Sequence, residues 1–290
     1  MYSTRVAGLN LNDPFVIASG VIPEVPGLMR RVCHQYRPAA ITTKTFTLYP
    51  VEPHHSPTIV KVGEGCYINA IGLGNPGIRA LEPNECVQIV SIGGSSLEEM
   101  VQASLEGERY ANAIELNLSS PNRRGYGADT ASLVSDIVSA VKSSVKRPVL
   151  VKLGPWDNVL SLAGRALDAG ADGLTLINTM KGMVVDVEEF KPILSYGTGG
   201  ISGRCIHNLA VRIIYEVYRE YNPDIIGVGG VFTLDDALEL LSVGAKAVGI
   251  ASLIIESGFE AIPKLRASLS LYLQRKGLKL EDIIGRAVKR

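Results

Sequence analysis

Short apolar, β-branched runs recur along the chain, each ending in polar or glycine-rich residues, and most are followed by a stretch whose apolar positions repeat at three and four. That alternation of periods is the signature of βα units. It predicts strands at FVIAS (15–19), AAITTK (39–44), VQIVSI (87–92), AIELNL (113–118), PVLVKL (148–153), DGLTLI (172–177), DIIGVG (224–229) and AVGIAS (247–252). Helical period lies between them at 96–111, 130–145, 158–170, 206–221 and 233–244. The last of these opens on a Thr-x-x-Asp cap pattern at Thr233 and closes at Gly244. Eight strands with intervening helices, and no second unit left over, predict an α/β architecture: one (β/α)8 TIM barrel over residues 1–290 rather than an open doubly wound sheet. Two intervals, 45–86 and 178–205, are too long for simple βα loops. Each follows the C-terminal end of a strand, the rim that carries chemistry in this fold, so both are expected to be insertions that wall or cover a pocket.

Composition narrows the function classes. With 46% hydrophobic and 20% charged residues the chain has material for a core, and intrinsic disorder is excluded. Lys+Arg 29 balance Asp+Glu 29, so no global positive field is available to steer nucleic acid or an anionic membrane, although local phosphate sites stay open. No run approaches about 18 consecutive apolar residues, and the N-terminal segment lacks the pattern of a secretory signal. The expectation is a cytoplasmic protein with no nucleic-acid and no membrane partner. Cys33, Cys66, Cys86 and Cys205 show no C-x-x-C spacing, and they read as structural thiols, with neither a zinc site nor a disulfide framework indicated.

Polar residues cluster where the predicted strands end: Ser19, Lys44, Asn117, Ser119, Ser120, Asn122, Lys152 and Asn178. Singly, Asn and Ser are ordinary turn formers and Lys ordinarily projects into solvent. All eight point to one rim, however, and amides with two lysines suit a planar heterocycle bearing carbonyl or carboxylate groups. Glycine-rich ends follow strands seven and eight, in GVGGVFTLDDA and GIASL, where backbone N–H groups beside a helix start cradle phosphate in this fold. Tight turning alone is the competing account of those glycines. GTGGISG (197–203) can add N–H donors.

Other motifs carry less. A literal G-x-G-x-x-G at Gly72, Gly74 and Gly77 lies inside a long insertion with Pro76 where a helix should begin, so it is not a dinucleotide fingerprint. His54 and His55 lack an accompanying carboxylate cluster and read as solvated loop, as do His34 and His207; no metal site is expected. Neither H-E-x-x-H nor G-x-S-x-G is present.

Taken together, ITTKTFTL (41–48), INAIGLGNPG (68–77), ELNLSSPN (115–122), VKLGP (151–155), INTMKG (177–182), GTGGISG (197–203) and IIGVGGV (225–231) make the chain resemble the dihydroorotate dehydrogenases, in particular their soluble class 1 branch. The resemblance runs from the first strand to about residue 255 and implies FMN-dependent oxidation of dihydroorotate to orotate in pyrimidine biosynthesis. It implies that Lys44 and Lys152 sit against the flavin. Lys152 is then near the N1/O2 edge, where a cation stabilises the reduced ring, and Lys44 also approaches the orotate carboxylate. Asn69, Asn117, Asn122 and Asn178, the backbone at Gly72 and Leu73, and the Thr179 hydroxyl are implied to hold the pyrimidine. Ala18, Ser19, Gly20, Thr45, Asn117, Ile177, Gly203, Gly229, Gly230, Ala251 and Ser252 match FMN-contacting positions, the last four on the phosphate cradle.

The family's reaction takes a proton from C5 of dihydroorotate while hydride passes from C6 to flavin N5, and the base lies on the loop after strand four. That residue is Ser120 here. Soluble class 1 members usually carry Cys at this place, whereas the membrane-associated class 2 members carry Ser, so the chain departs from its own branch. A thiol has a reference pKa near about 8.5, while an alcohol needs hydrogen-bonded help or a water path. Ser119 is the neighbour on the opposite side of the chain. The stretch 122–130, with Arg123 and Arg124, reads as a lid over substrate.

Three other readings stay open. A flavin barrel of the dihydropyrimidine dehydrogenase kind shares the architecture, but its relatives resemble NMSCPH where this chain has Asn122 after Pro121. A non-redox barrel would use Lys152 as a Schiff-base amine. A non-catalytic interaction barrel would make the Asn set accidental. With no cluster motif and no dinucleotide fold, transfer to NAD requires a partner polypeptide carrying FAD and an iron–sulfur cluster; fumarate as direct acceptor is the alternative, and a homodimer core is what the resemblance suggests.

Overall fold

The computed structural model of the protein describes residues 2–119 and 133–289. Eight parallel strands close into a barrel: β1 (Phe15–Ile17), β2 (Ala40–Thr42), β3 (Gln88–Ile92), β4 (Ala113–Asn117), β5 (Val149–Leu153), β6 (Gly173–Leu176), β7 (Ile225–Val228) and β8 (Ala247–Ile250). They follow one another in chain order around the ring, and β8 pairs back onto β1 through Val248↔Phe15. Each lies inside a predicted run; β3 and β5 end where their runs end, and the other six stop one or two residues earlier, because the last residues of those runs leave the ladder to line the rim.

The strands are continuous apolar runs because both faces are buried. Outward residues such as Phe15, Ile41, Val90, Ile114, Val151, Leu174 and Val248 pack under the helices in one core. Inward residues Val16, Ala40, Ile89, Ala113, Leu150, Ile226 and Ala247 form a second cluster with Val6, Leu9 and Leu11 of an N-terminal hairpin that plugs the floor. Full burial of each valine, leucine, isoleucine or phenylalanine among them is worth about 1.5–3 kcal/mol. Above that floor the inward positions turn polar: Thr42, Ser91, Glu115, Lys152 and Thr175 are all buried. The barrel therefore has a dry base and a polar upper half.

Helices α1 (Leu28–Tyr36), α2 (Leu97–Gly107), α3 (Val134–Ser144), α4 (Val159–Asp168), α5 (His207–Tyr221), α6 (Leu234–Ser242), α7 (Ser252–Ser257) and α8 (Ala261–Lys276) surround the strands. Helix α6 starts on the expected cap, now a full capping box in which Thr233 accepts the Asp236 N–H and Asp236 accepts back. The β2–β3 connection carries only a 3-10 turn, Ile78–Ala80, among its described helical elements. None of the described helices is long and apolar enough to cross a membrane.

The two long insertions do not fold separately. Strands Ile59–Gly63 and Cys66–Asn69 come from the first, Met180–Met183 and Thr198–Gly203 from the second, and they join in one antiparallel sheet. Its central pairing, Ile201↔Ile68 with Gly203↔Cys66, ties residues beyond β2 to residues beyond β6 across the mouth of the barrel.

The reading of the cysteines needs correction. Cys33 on α1 and Cys86 before β3 form a disulfide, with Cα atoms 5.7 Å apart. They stand 53 residues apart in sequence, and only the barrel brings α1 beside the approach to β3. Two histidines also differ from the solvated-loop expectation. His207 opens α5 and is buried, its Nδ1 2.7 Å from the Gly229 carbonyl and its Nε2 2.8 Å from Glu239 Oε2. The His54 ring stacks on Tyr196 at 4.3 Å and its Nδ1 lies 2.8 Å from the Ala70 carbonyl. Each replaces water with one specific backbone acceptor, which spacing along the chain does not reveal.

Candidate functional site

The strand ends deliver the polar residues to two adjoining recesses at the C-terminal mouth. One is lined by Ser19, Gly20, Lys44, Thr45, Asn69, Gly72, Leu73, Asn117, Lys152, Asn178 and Thr179, with Ala251 and Ser252 at its far side. The other is lined by Ala18, Ile177, Gly203, Gly229 and Gly230 and shares Ser19, Lys152, Asn178, Thr179, Ala251 and Ser252 with the first. The shared walls make them one elongated space. Every expected site residue within the described part of the chain lies along it; Ser120 and Asn122, with the whole 122–130 stretch, fall outside the described residues.

Parity along the strands explains the convergence. Asn117 and Lys152 are cross-strand partners on β4 and β5, and Thr175 of β6 is opposite Lys152, so all three face inward. Asn117 donates through Nδ2 to Thr45 Oγ1 at 2.9 Å, and Thr45 Oγ1 lies 3.1 Å from Ser91 Oγ. Asn178 Nδ2 lies 3.3 Å from Asn117 Oδ1, 3.0 Å from Ser119 Oγ and 3.1 Å from the Ser119 carbonyl, while Asn178 Oδ1 accepts the Thr179 N–H at 2.8 Å. These bonds fix which end of each amide faces the cavity. Ser119 is fully buried and bonded to both amides, so it lies behind the wall rather than in it.

Among the described residues two cations face this space. Lys152 is 7% exposed, and Lys44 donates to the Gly72 carbonyl at 3.3 Å. Burial holds the Lys44 ammonium below the ordinary lysine range; the Glu24 carboxylate opposes that shift and the Lys152 charge adds to it. Burial in turn lifts the Glu24 carboxyl above the usual carboxylate range, tempered by its own backbone N–H and by Lys44. Among the described residues no carboxylate lines either recess, so these walls present positive charge and amide dipoles to whatever enters. That is a site for a planar anion.

The expected FMN fits this donor set. At the end away from Lys44 the walls are Gly203, Gly229, Gly230, Ser202 and Ser252, backbone and hydroxyl donors of the kind that hold a phosphate. Gly203 has φ +92°, and a Cβ there would fall 1.8 Å from the Gly65 carbonyl oxygen, so the turn admits only glycine. Toward the other end Asn117, and on the wall common to both recesses Lys152, offer an amide and a cation to a heterocycle. Among the described residues no cluster of three or more His, Cys, Asp or Glu could hold a metal.

Reading the sequence missed Ser202, Val231, Ile59 and Ile255 as wall residues, and it missed Glu24. Ser202 sat inside a motif already singled out. Ile59 lies on the first insertion and Ile255 on α7, neither with a polar signal, and Glu24 matters only through a lysine twenty residues away.

Comparison with known proteins agrees with this geometry. The family model described as dihydroorotate dehydrogenase matches residues 1–273. A protein of Sulfolobus acidocaldarius named dihydroorotate dehydrogenase B (NAD(+)), catalytic subunit, is 58% identical over 99% of each chain. A protein of the same name from Saccharolobus solfataricus is 55% identical over 98% of this chain and 99% of its own. The crystal structure of the Eimeria tenella enzyme DHODH in complex with ferulenol shares the fold, with a TM-score of 0.85 at 22% identity over 99% of this chain and 89% of that one. With its barrel, its cationic amide-lined mouth and a family match over most of its length, this chain belongs to the dihydroorotate dehydrogenase family.

Proposed function

We propose that this chain is the catalytic subunit of an NAD-linked dihydroorotate dehydrogenase, oxidising dihydroorotate to orotate with FMN in pyrimidine biosynthesis. The observation that carries the reading is the single elongated space with a glycine and hydroxyl cradle at one end, Lys44, Asn69 and Asn117 at the other, and Lys152 and Asn178 on the wall common to both. FMN, when bound, supplies the acceptor for the hydride lost from C6.

The chain's own residues do the rest. Lys44 attracts the substrate carboxylate, and Asn69, Asn117, Asn178 and Thr179, with Asn122 and the Gly72–Leu73 backbone, orient the ring by its carbonyl and N–H groups. Lys152 places its charge where negative charge accumulates on reduction. Ser120 takes the C5 proton. An alcohol is a weak base, so Ser120 needs hydrogen-bonded help or a water path to accept that proton.

The relatives named as catalytic subunits support a second polypeptide that carries electrons onward to NAD. The sequence of this chain offers neither a cluster motif nor a dinucleotide fold for that task. A homodimer of single barrel units, working in the cytoplasm, completes the proposal.

An anaerobic absorbance scan between about 300 and 600 nm, before and after dihydroorotate, tests the reading. A flavin spectrum that bleaches on addition is the expected result. Bleaching only with an uncharged dihydropyrimidine would move the substrate class. A colourless protein that takes up no FMN and traps a carbonyl compound on borohydride treatment would overturn the reading in favour of a Lys152 Schiff base.

A further inference from the structure

Two cysteines remain outside the Cys33–Cys86 disulfide, Cys66 and Cys205, 139 residues apart in the chain. The sheet over the barrel mouth brings them together. Gly203 is the cross-strand partner of Cys66, the Arg204 N–H donates to the Gly65 carbonyl at 3.0 Å, and the Cys205 N–H donates to the Cys66 sulfur at 3.2 Å. The Cys205 thiol is also within hydrogen-bond reach of that sulfur, and its Sγ lies 3.5 Å from the Ser202 carbonyl. Cys205 is exposed and Cys66 is half-buried, so a small reagent reaches the pair from solvent.

We propose that Cys66 and Cys205 form a second thiol–disulfide site, one that takes up a low-molecular-weight disulfide and closes into a cross-strap between the two insertions. The geometry assigns the order of events. Cys205 directs both its backbone N–H and its thiol at the Cys66 sulfur, so Cys66 is the acceptor of the pair and is assigned as the attacking group. Its sulfur bonds to one sulfur of oxidised glutathione, the glutathione S–S bond breaks, and one glutathione leaves and takes a proton. Cys205 then gives up its proton to solvent and attacks the Cys66 sulfur, which expels the second glutathione. Two thiols are oxidised and one glutathione disulfide is reduced to two thiols. Desolvation of its sulfur, and then its hydrogen bond to Cys66, push the Cys205 thiol up to about 11, which suits the resolving partner rather than the first nucleophile. The strap joins the strand that ends at Asn69 to the turn after Gly203, neighbours in the sheet over the mouth whose residues Asn69 and Gly203 both line the elongated space. Thiol oxidation is already part of this chain's chemistry, as the Cys33–Cys86 bond shows.

The test is peptide mapping by mass spectrometry of the intact protein. After mild reduction and desalting it is treated with oxidised glutathione and then with N-ethylmaleimide. The expected result is one peptide pair linking Cys66 to Cys205 and the loss of both maleimide sites. Cys205→Ser, a change at an exposed position, is expected to stop with a single glutathione on Cys66. Maleimide on both thiols of the wild type, or glutathione on both without a link, would overturn the proposal. Both readouts are independent of flavin, so they stand or fall apart from the catalytic assignment.

Discussion

Asn178, just beyond β6, reaches over Lys152 of β5 to Asn117 at the end of β4, with Nδ2 3.3 Å from the Asn117 Oδ1. Two amides from strands that are not neighbours therefore form one bridge above the buried lysine. Asn178 also holds Ser119 by side chain and backbone. Replacing Asn178 with Ala removes the donor to the Ser119 carbonyl and hydroxyl and one of the donors to Asn117 Oδ1, which Ser119 still serves, a loss on the order of 1–3 kcal/mol. Orotate affinity should fall about tenfold or more, since about 1.4 kcal/mol is a factor of ten, while FMN is retained. Titration of the flavin spectrum with orotate checks both; equal loss of flavin and orotate binding would show a general collapse of the mouth instead.

Ser120→Ala should keep FMN and orotate binding yet slow reduction by dihydroorotate about 10²-fold or more, the scale of a lost general base. Stopped-flow reduction under anaerobic conditions measures it. Ser120→Cys is the sharper variant: a more acidic group at the same place should move the pH dependence of reduction toward neutrality. Near-normal reduction in the Ala variant would show that another group takes the proton.

Lys44 predicts an alkaline limb in orotate affinity. The ammonium attracts the carboxylate only while protonated, so its contribution is complete below its folded pKa and lost as pH rises through it. Burial has moved that pKa downward, so the loss should begin below the ordinary lysine value. Lys44→Arg keeps its charge across the whole range and should abolish the limb. An unchanged limb in the Arg variant would assign the titration elsewhere.

The capping box at the start of α6 stands just after Gly229 and Gly230. Thr233→Ala removes the acceptor for the Asp236 N–H, 3.2 Å away, and should cost about 1 kcal/mol of stability. The Asp236 carboxyl lies below the usual carboxylate range: bonds from the Phe232 and Thr233 N–H groups and the Thr233 side chain, together with His207, outweigh desolvation, the largest single influence. Its contribution is present above the unfolded pKa and lost as pH falls through the folded one. Thermal unfolding of wild type and Asp236→Asn should therefore differ at neutral pH and converge in acid.

What was legible in the sequence was what is local. Strand positions and the α6 cap follow from neighbours two to four residues apart, and the rim residues follow because strands end where polarity begins. The glycine trio at Gly72, Gly74 and Gly77 was rightly set aside, since a 3-10 turn rather than an α-helix follows it. What escaped was non-local. The Cys33–Cys86 bond, the buried seat of His207, the Glu24–Lys44 coupling and the shared sheet over the mouth all join segments that no periodicity links.

That sheet also sets the order in which the molecule can be made. Its central ladder pairs residues 66–69 with residues 200–203, so one wall of the cofactor space does not exist until more than two thirds of the 290-residue chain has been synthesised. Contacts of such separation are late and slow in folding, because a long loop must close before they form. A ribosome-bound N-terminal half, however well its first strands pair, has no pocket to offer a flavin. Loading of the cofactor is thus tied to completion of the barrel.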